Sequence, residues 1–258
     1  MFDDIPAGSR IQVIDRAAAL LDAIARYPAP VSLKVLGAET GLHPSTAHRI
    51  LGALIHNHLV EKDNAGRYRL GLRLLQLGVR LHGDVDMRAI ARPVMEELHT
   101  RMGETVNLTI RDGDEVVYID TLSPDPGTCC WQLIGSRAPL HVTAVGKLML
   151  AAGGEDCIRA YARRTNLPAY TRNSITALPR LIAACQAALA QGFALDEAEA
   201  EAGAGCIGVL LHDSTGKVAG GLSISAPLTR RRLEWAEDLV AAGRCISAQL
   251  GWQARNAA

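Results

Sequence analysis

The sequence predicts an α+β chain in two parts: a helix-turn-helix with a two-stranded wing, then a linker helix and a larger mixed domain. Three observations carry that expectation. Residues 32–56 hold two short amphipathic helical stretches separated by Gly41-Leu42-His43. Residues 60–70 read as two short strands around Asp63-Asn64-Ala65-Gly66, a run rich in turn formers. From about Ala89 onward, strand-like hairpins mix with helices, the pattern of an α+β layer. The expected domains are 1–71 and 89–258, with 72–88 as the linker helix between them.

In chain order, Ile14, Ala17, Ala18, Leu21 and Ile24 share one apolar face and predict a helix over 11–26. Ser32 suits the N-cap of a second helix and Gly41 its C-terminal stop. Pro44 suits the first turn of a third helix, because its missing N–H is unpaired there anyway. On that helix Ala47, Ile50, Leu51 and Leu54 face inward, while Ser45, His48, Arg49, Gly52 and His56 fall on the other side. In the wing, Arg67 and Arg69 share one strand face and Tyr68 and Leu70 the other. Leu72–Leu81 reads as the linking helix.

Farther on, a helix runs through Met95 and Leu98, and Thr105–Ile110 pairs with Glu115–Thr121 across Arg111-Asp112-Gly113-Asp114. Cys130–Ile134 reads as another strand. Helices are expected at Val145–Ala152, Asp156–Ala162 and Leu178–Gln191. A second hairpin joins Cys206–His212 to Lys217–Ser225 across Asp213-Ser214-Thr215-Gly216, and a last helix covers Arg230–Leu250.

At 48% hydrophobic and 21% charged, the 258-residue chain is that of a folded protein. Formal net charge is zero, which argues against a protein that coats nucleic acid non-specifically. The acidic start Met1–Pro6 lacks the features of a secretion signal, and the Ala/Leu-rich stretches are broken by charge before membrane-spanning length. The expectation is a cytoplasmic protein with reduced cysteines and no contact with a membrane.

A helix that begins at Pro44 and carries polar groups on its outer face has the form that enters a DNA major groove. Ser45 and Thr46 are expected to donate to phosphates. His48 and Arg49 are the candidates for base edges, with Arg49 first because its fork matches guanine. Arg67 and Arg69 on the wing are expected at phosphate or the minor groove. Residues 1–75 hold nine Lys/Arg against seven Asp/Glu, so affinity has to lean on dimerisation and geometry. The competing reading of such a module is a protein-contact surface.

Three sets of phrases together resemble the IclR family of bacterial transcriptional regulators. The first is Gly41-Leu42-His43-Pro44-Ser45-Thr46-Ala47-His48-Arg49-Ile50-Leu51, and the second runs Gly135-Ser136-Arg137-Ala138-Pro139-Leu140-His141-Val142-Thr143-Ala144-Val145-Gly146-Lys147. The third comprises Gly192–Glu199, Gly205–Val209 and Leu222–Pro227. The resemblance implies a GAF-like effector domain for a small carboxylic or aromatic acid, dimers or tetramers, a near-palindromic double-stranded operator and control of a catabolic operon. It implies no cofactor. It also implies a pocket in which Ala144 and Val145 meet the ligand at a helix start, Asp196, Cys206, Ser223 and Ser225 line the opposite wall, and Cys130 and Ala138 sit on a variable rim.

The residues support that transfer on their own chemistry. The first turn at Ala144-Val145-Gly146 offers backbone N–H groups suited to a carboxylate. Ser223 and Ser225, two apart on a strand, share a face. Asp196 reads either as a ligand contact or as a loop cap, and Cys206 as a small buried hydrophobe. Trp131 reads either as a stacking partner or as a core residue. An enzyme built on Lys147, His141, Asp196 and Cys206 is not expected, because no nucleophile motif is present. The alternative on the same scaffold is a cysteine-based redox or metal sensor using Cys129, Cys130, Cys206 and His141.

Overall fold

The computed structural model describes residues 11–79, 87–124 and 133–253. Contacts divide the chain into two compact units, Met1–Asp84 and Val85–Ala258.

In the first unit, α1 (Gln12–Ala25), α2 (Leu33–Thr40) and α3 (Pro44–His56) pack with the wing strands β1 (Val60–Lys62) and β2 (Tyr68–Leu70). The local signals act as anticipated. The Ser32 side chain accepts from the Val35 N–H, and Gly41 closes α2 with φ at 65°, a left-handed turn that costs a glycine nothing. Ala47, Ile50, Leu51 and Leu54 are buried with Leu20, Leu36 and Tyr68 in one core. Tyr68 also bridges to Val31, which pins the wing to the helices. Leu70, expected on the same buried face as Tyr68, is 40% exposed. Helix α4 (Leu72–Val79) follows, and the Arg73 guanidinium donates to the Asn57 carbonyl at the end of α3.

The second unit is a six-stranded antiparallel sheet, among the described residues, in the order β5-β4-β3-β8-β7-β6. Its strands are β3 (Thr105–Asp112), β4 (Glu115–Leu122), β5 (Arg137–Pro139), β6 (Ala194–Glu197), β7 (Ala204–His212) and β8 (Val218–Pro227). Alternation sorts the side chains of the sheet onto two faces. Val106, Leu108, Ile207, Val209, Leu211, Leu222 and Ile224 pack on α5 (Met87–Met102) and α9 (Trp235–Gln249). The opposite face faces α6 (Ala144–Ala152), which leads on to α7 (Gly154–Thr165) and α8 (Leu178–Gln191).

Helix α6 lies close to the sheet because the strands beneath it carry glycine. A Cβ at Gly208 would fall 2.7 Å from Val145 Cγ1 and 2.9 Å from the Val145 backbone nitrogen. One at Gly221 would fall 2.8 Å from Val145 Cγ1.

Several expectations are corrected. Leu133 and Ile134 belong to a turn, and the rest of the predicted Cys130–Ile134 strand, with Trp131, lies outside the described residues. The last helix begins at Trp235, not Arg230, because Arg230 and Arg231 sit in the turn after β8 and reach back to Glu104 and Glu197. Strands β5 and β6 were not anticipated: three or four residues are too few for a periodic signal.

Gly208→Ala is expected to destabilise the protein by about 1–3 kcal/mol, since an added methyl has to displace the first turn of α6. Gly52→Ala, on the exposed face of α3 with nothing within 4 Å, is expected to be neutral or stabilising by up to about 1 kcal/mol. Urea denaturation of both variants checks the contrast.

Candidate functional site

The outer face of α3 is built by its cap and its buried stripe. His43 is the N-cap: its Nδ1 accepts from the Ser45 N–H, and the Ser45 hydroxyl lies 2.8 Å from the same nitrogen. An Nδ1 used as an acceptor leaves the ring proton on Nε2, so an exposed donor stands at the helix start, a residue the sequence reading passed over. Ser45, His48 and Arg49 are exposed and Thr46 is half-buried. No ion pair to Arg49 exists among the described residues. The wing differs: Arg67 pairs with Asp63 at 2.9 Å and Arg69 with Glu61 at 2.6 Å. The two partners were legible, since Asp63 and Arg67 are four apart and Glu61 lies opposite Arg69 in the register. These exposed pairs contribute little to stability, because water screens them, but they engage both arginines.

In the second unit, the polar face of the sheet and the start of α6 enclose a cavity of about 20 Å³, lined by Tyr118, Ala138, Thr143, Ala144, Val145, Asp196, Ala200, Glu201, Ala204, Cys206 and Ser223. Six of the predicted effector residues thus meet: Ala138, Ala144, Val145, Asp196, Cys206 and Ser223. The volume holds about one water. The register explains the convergence, because Asp196 pairs with Cys206 and Cys206 with Ser225 across three strands.

Ser225 is not in the lining. Its hydroxyl accepts from Asn107 Nδ2 at 3.1 Å and lies 3.0 Å from the Cys206 sulfur, so it braces the wall from behind. Asn107, buried and also bound by the Thr121 hydroxyl, was missed because its strand partner lies over a hundred residues away. Cys130 lies outside the described residues, as does Cys129. The first turn of α6 is narrower as an anion site than expected: the Gly146 N–H donates to the Thr143 side-chain cap, leaving Ala144 and Val145 at the wall.

Asp196 is seen in its loop-capping role. It lines the cavity, and its Oδ1 accepts from the Glu199 N–H at 2.7 Å, capping the loop. Burial pushes its carboxyl up to about 7; the Glu199 N–H draws it down and the Glu199 charge raises it. The segment that follows is stapled by three donors from the α7–α8 loop. Asn173 donates to the Glu197 carbonyl, Thr171 to that of Ala198 and Ser174 to that of Glu199. Lys147 on α6 forms a buried ion pair with Glu199. Ala200 and Glu201 also line, on their outer side, an open cleft of about 640 Å³ with Tyr170, Arg172 and Leu228.

Two of the groups weighed for catalysis or metal binding, Lys147 and His141, are committed to other partners. His141 Nε2 lies 3.0 Å from the Pro168 carbonyl and so carries the proton, while Nδ1 accepts from the Tyr161 hydroxyl at 2.7 Å. Burial lowers the His141 pKa, in keeping with a neutral core imidazole. Burial raises the Cys185 thiol to about 12, well away from a reactive thiolate. Among the described residues no group of three or more His, Cys, Asp or Glu is placed to hold a metal ion. Among them, too, no helix is long and apolar enough to cross a membrane.

Comparison with known proteins covers both units. The family model for the bacterial transcriptional regulator IclR C-terminal region matches residues 80–250, and that for the IclR helix-turn-helix domain matches residues 13–64. The HTH-type transcriptional regulator XynR of Escherichia coli (strain K12) is 31% identical over 249 residues, spanning 95% of this chain and 99% of its own. The HTH-type transcriptional repressor AllR of the same organism is 30% identical over 248 residues, 94% of this chain and 92% of its own. Among solved structures, the Thermotoga maritima IclR superposes with TM-score 0.76 at 28% identity, covering 94% of this chain and 100% of its own. An IclR homolog from Microbacterium hydrocarbonoxydans, complexed with 4-hydroxybenzoate, gives TM-score 0.78 at 25% identity, covering 92% and 98%. These relatives are regulators and repressors of transcription, not enzymes.

The buried carboxyl generates a pH prediction. A pKa raised in the folded state favours folding while the acid is neutral, so that contribution is full below about pH 4 and is lost as pH rises through about 7. Asp196→Asn cannot ionise and keeps an oxygen for the Glu199 N–H. Its stability relative to the parent is therefore expected to grow from pH 4 to pH 8, by up to about 4 kcal/mol. Thermal melts across that range check it, and a difference that does not change with pH refutes the assignment.

Proposed function

Because this chain belongs to the IclR family of bacterial transcriptional regulators, we propose that it is a cytoplasmic repressor of a catabolic operon, released or tightened by a small carboxylic or aromatic acid. The observation that carries the effector half is the convergence of Ala138, Ala144, Val145, Asp196, Cys206 and Ser223, from separate stretches of the chain, on one cavity. In this reading the ligand carboxylate lies between the first N–H groups of α6 and Asp196, and its remaining polar groups meet Ser223. Since the cavity is about 20 Å³, well below an organic acid, the ligand has to displace part of the wall. Ala200-Glu201-Ala202, between the cavity and the outer cleft, is the stretch proposed to give way.

The DNA half rests on α3. Arg49 stands exposed without a carboxylate partner among the described residues and is proposed to read guanine, with His48 beside it and Ser45 and Thr46 on phosphates. Arg67 and Arg69 follow as phosphate contacts that first have to leave Asp63 and Glu61. A second copy is proposed to complete the operator, and exposed Ile11, Val13 and Ile14 on or beside α1 and Leu72, Leu75 and Leu77 on α4 offer it apolar surface. Effector binding then shifts operator affinity by a coupling of about 1–3 kcal/mol.

Fluorescence anisotropy on the DNA upstream of the gene, with a scrambled duplex as control, tests this reading. Arg49→Ala is expected to weaken operator binding by about 1–3 kcal/mol, roughly tenfold or more, while Arg69→Ala changes it less. Equal losses at the two positions sink the ranking. Ser223→Ala is expected to raise the acid concentration for half-response about fivefold, the loss of one hydrogen bond, without changing operator affinity. It is a cleaner probe than Ser225→Ala, which also removes an acceptor of the Asn107 amide. An unchanged half-response removes Ser223 from the site.

A further inference from the structure

The cavity proposed to take an organic acid is itself acidic. Among the described residues its lining holds two carboxylic side chains, Asp196 and Glu201, and no Lys or Arg. The basic groups nearest Asp196 are committed to other partners. Lys147 on α6 is paired with Glu199. Arg231, in the turn after β8, donates to the Asp196 main-chain carbonyl at 3.0 Å and pairs with Glu197. The remaining titratable groups around it add no positive charge. Cys206 lies opposite on β7 and Tyr118 on β4 lines the same space. Glu199 has a second carboxylate oxygen, Oε2, that is buried with no hydrogen-bond donor. His141, before α6, is engaged by Tyr161 and Pro168, and burial lowers its pKa. Asp196 is only 3% exposed, so water screens little of its charge. Two carboxylates brought into contact in such a site do not both ionise.

Resting on the effector reading above, we propose that Asp196 is the specificity-determining residue that admits an organic acid as a proton-sharing pair, its protonated carboxyl donating to the ligand carboxylate. The proton balance is simple. Where Asp196 is already neutral, the ligand anion binds and no proton moves. Where Asp196 is ionised, each anion bound takes one proton from the buffer onto the Asp196 carboxylate, and no covalent bond other than that O–H forms. The site thus favours carboxylates over their amides at low pH and loses them as pH rises.

The test uses benzoate, 4-hydroxybenzoate and propionate, with benzamide as the uncharged control, titrated calorimetrically into the full-length protein at pH 6 and pH 8.5. Repeating each titration in two buffers of different ionisation enthalpy reads proton uptake without any variant. The expected result is an affinity for the carboxylates that falls about tenfold per pH unit above neutrality, with uptake approaching one proton. Asp196→Asn is expected to flatten that dependence, and carboxyl ¹³C NMR of the unliganded parent to place Asp196 well above an ordinary aspartate. Carboxylates that bind equally at both pH values, or without proton uptake, overturn the proposal and leave the effector reading intact. No binding by any of the three acids at pH 6 overturns both.

Discussion

The close seating of α6 on the polar face of the sheet is the constraint on which the second unit depends. It is possible only because strands β7 and β8 present Gly208 and Gly221 under Val145. From that contact the rest follows. The first turn of the helix becomes a wall of the cavity. Lys147, one turn farther on, is carried into the interior and has to find Glu199. Losing one partner of such a buried pair typically costs about 3–5 kcal/mol, because the other charge is left stranded. The segment after β6 is therefore tied to α6, and the opposite wall of the cavity is set by the position of the same helix.

The sheet divides labour between its faces. The side toward α5 and α9 is continuous hydrocarbon and gives a stiff floor. The side toward α6 carries Asn107, Thr109, Ser223, Ser225 and Asp196, all buried, with Asn107 donating to the Ser225 hydroxyl and Thr109 to the Gly221 carbonyl. A cavity of about 20 Å³ over such a floor cannot accept an organic acid without movement. The movable part has to be the roof. Thr171, Asn173, Ser174 and Arg231 hold Asp196–Glu199 at one edge and the Leu228 N–H holds the Gly203 carbonyl at the other, with the stretch proposed to give way, Ala200-Glu201-Ala202, between them. A ligand that binds only when that stretch shifts distinguishes two arrangements of the chain, the thermodynamic requirement for a switch.

Local chemistry was legible in the sequence and long-range pairing was not. The cap at Ser32, the stop at Gly41, the start at Pro44 and the buried stripe of α3 each depend on residues within a turn or two. Strand β6 escaped notice because its four residues make sense only beside β7. Asn107, Thr171 and Ser174 look like ordinary loop or strand polar residues until the fold brings Ser225, Ala198 and Glu199 to them. The effector residues surfaced from family phrases, and the phrases placed six of eight at the cavity lining. Ser225 lies outside that lining for a physical reason: its hydroxyl is engaged by Asn107 and Cys206 inside the wall.

The same contrast governs the DNA-reading face. Counting charge gives the first 75 residues a surplus of two, which says nothing about where it can be used. Geometry says more. The wing arginines are balanced within their own hairpin, so moving them to phosphate exchanges one ion pair for another and gains little. Arg49 has no such exchange to make among the described residues, whereas the first N–H groups of α3 are already spent on the side chain and carbonyl of His43. One copy of this unit thus offers few net phosphate contacts, and modest non-specific affinity follows. In the proposed function, tight binding then has to come from two recognition helices held at a fixed spacing. On that proposal the dependence on spacing is what would make the protein switchable: a small change in one effector domain would matter because neither DNA-binding unit could hold the operator alone.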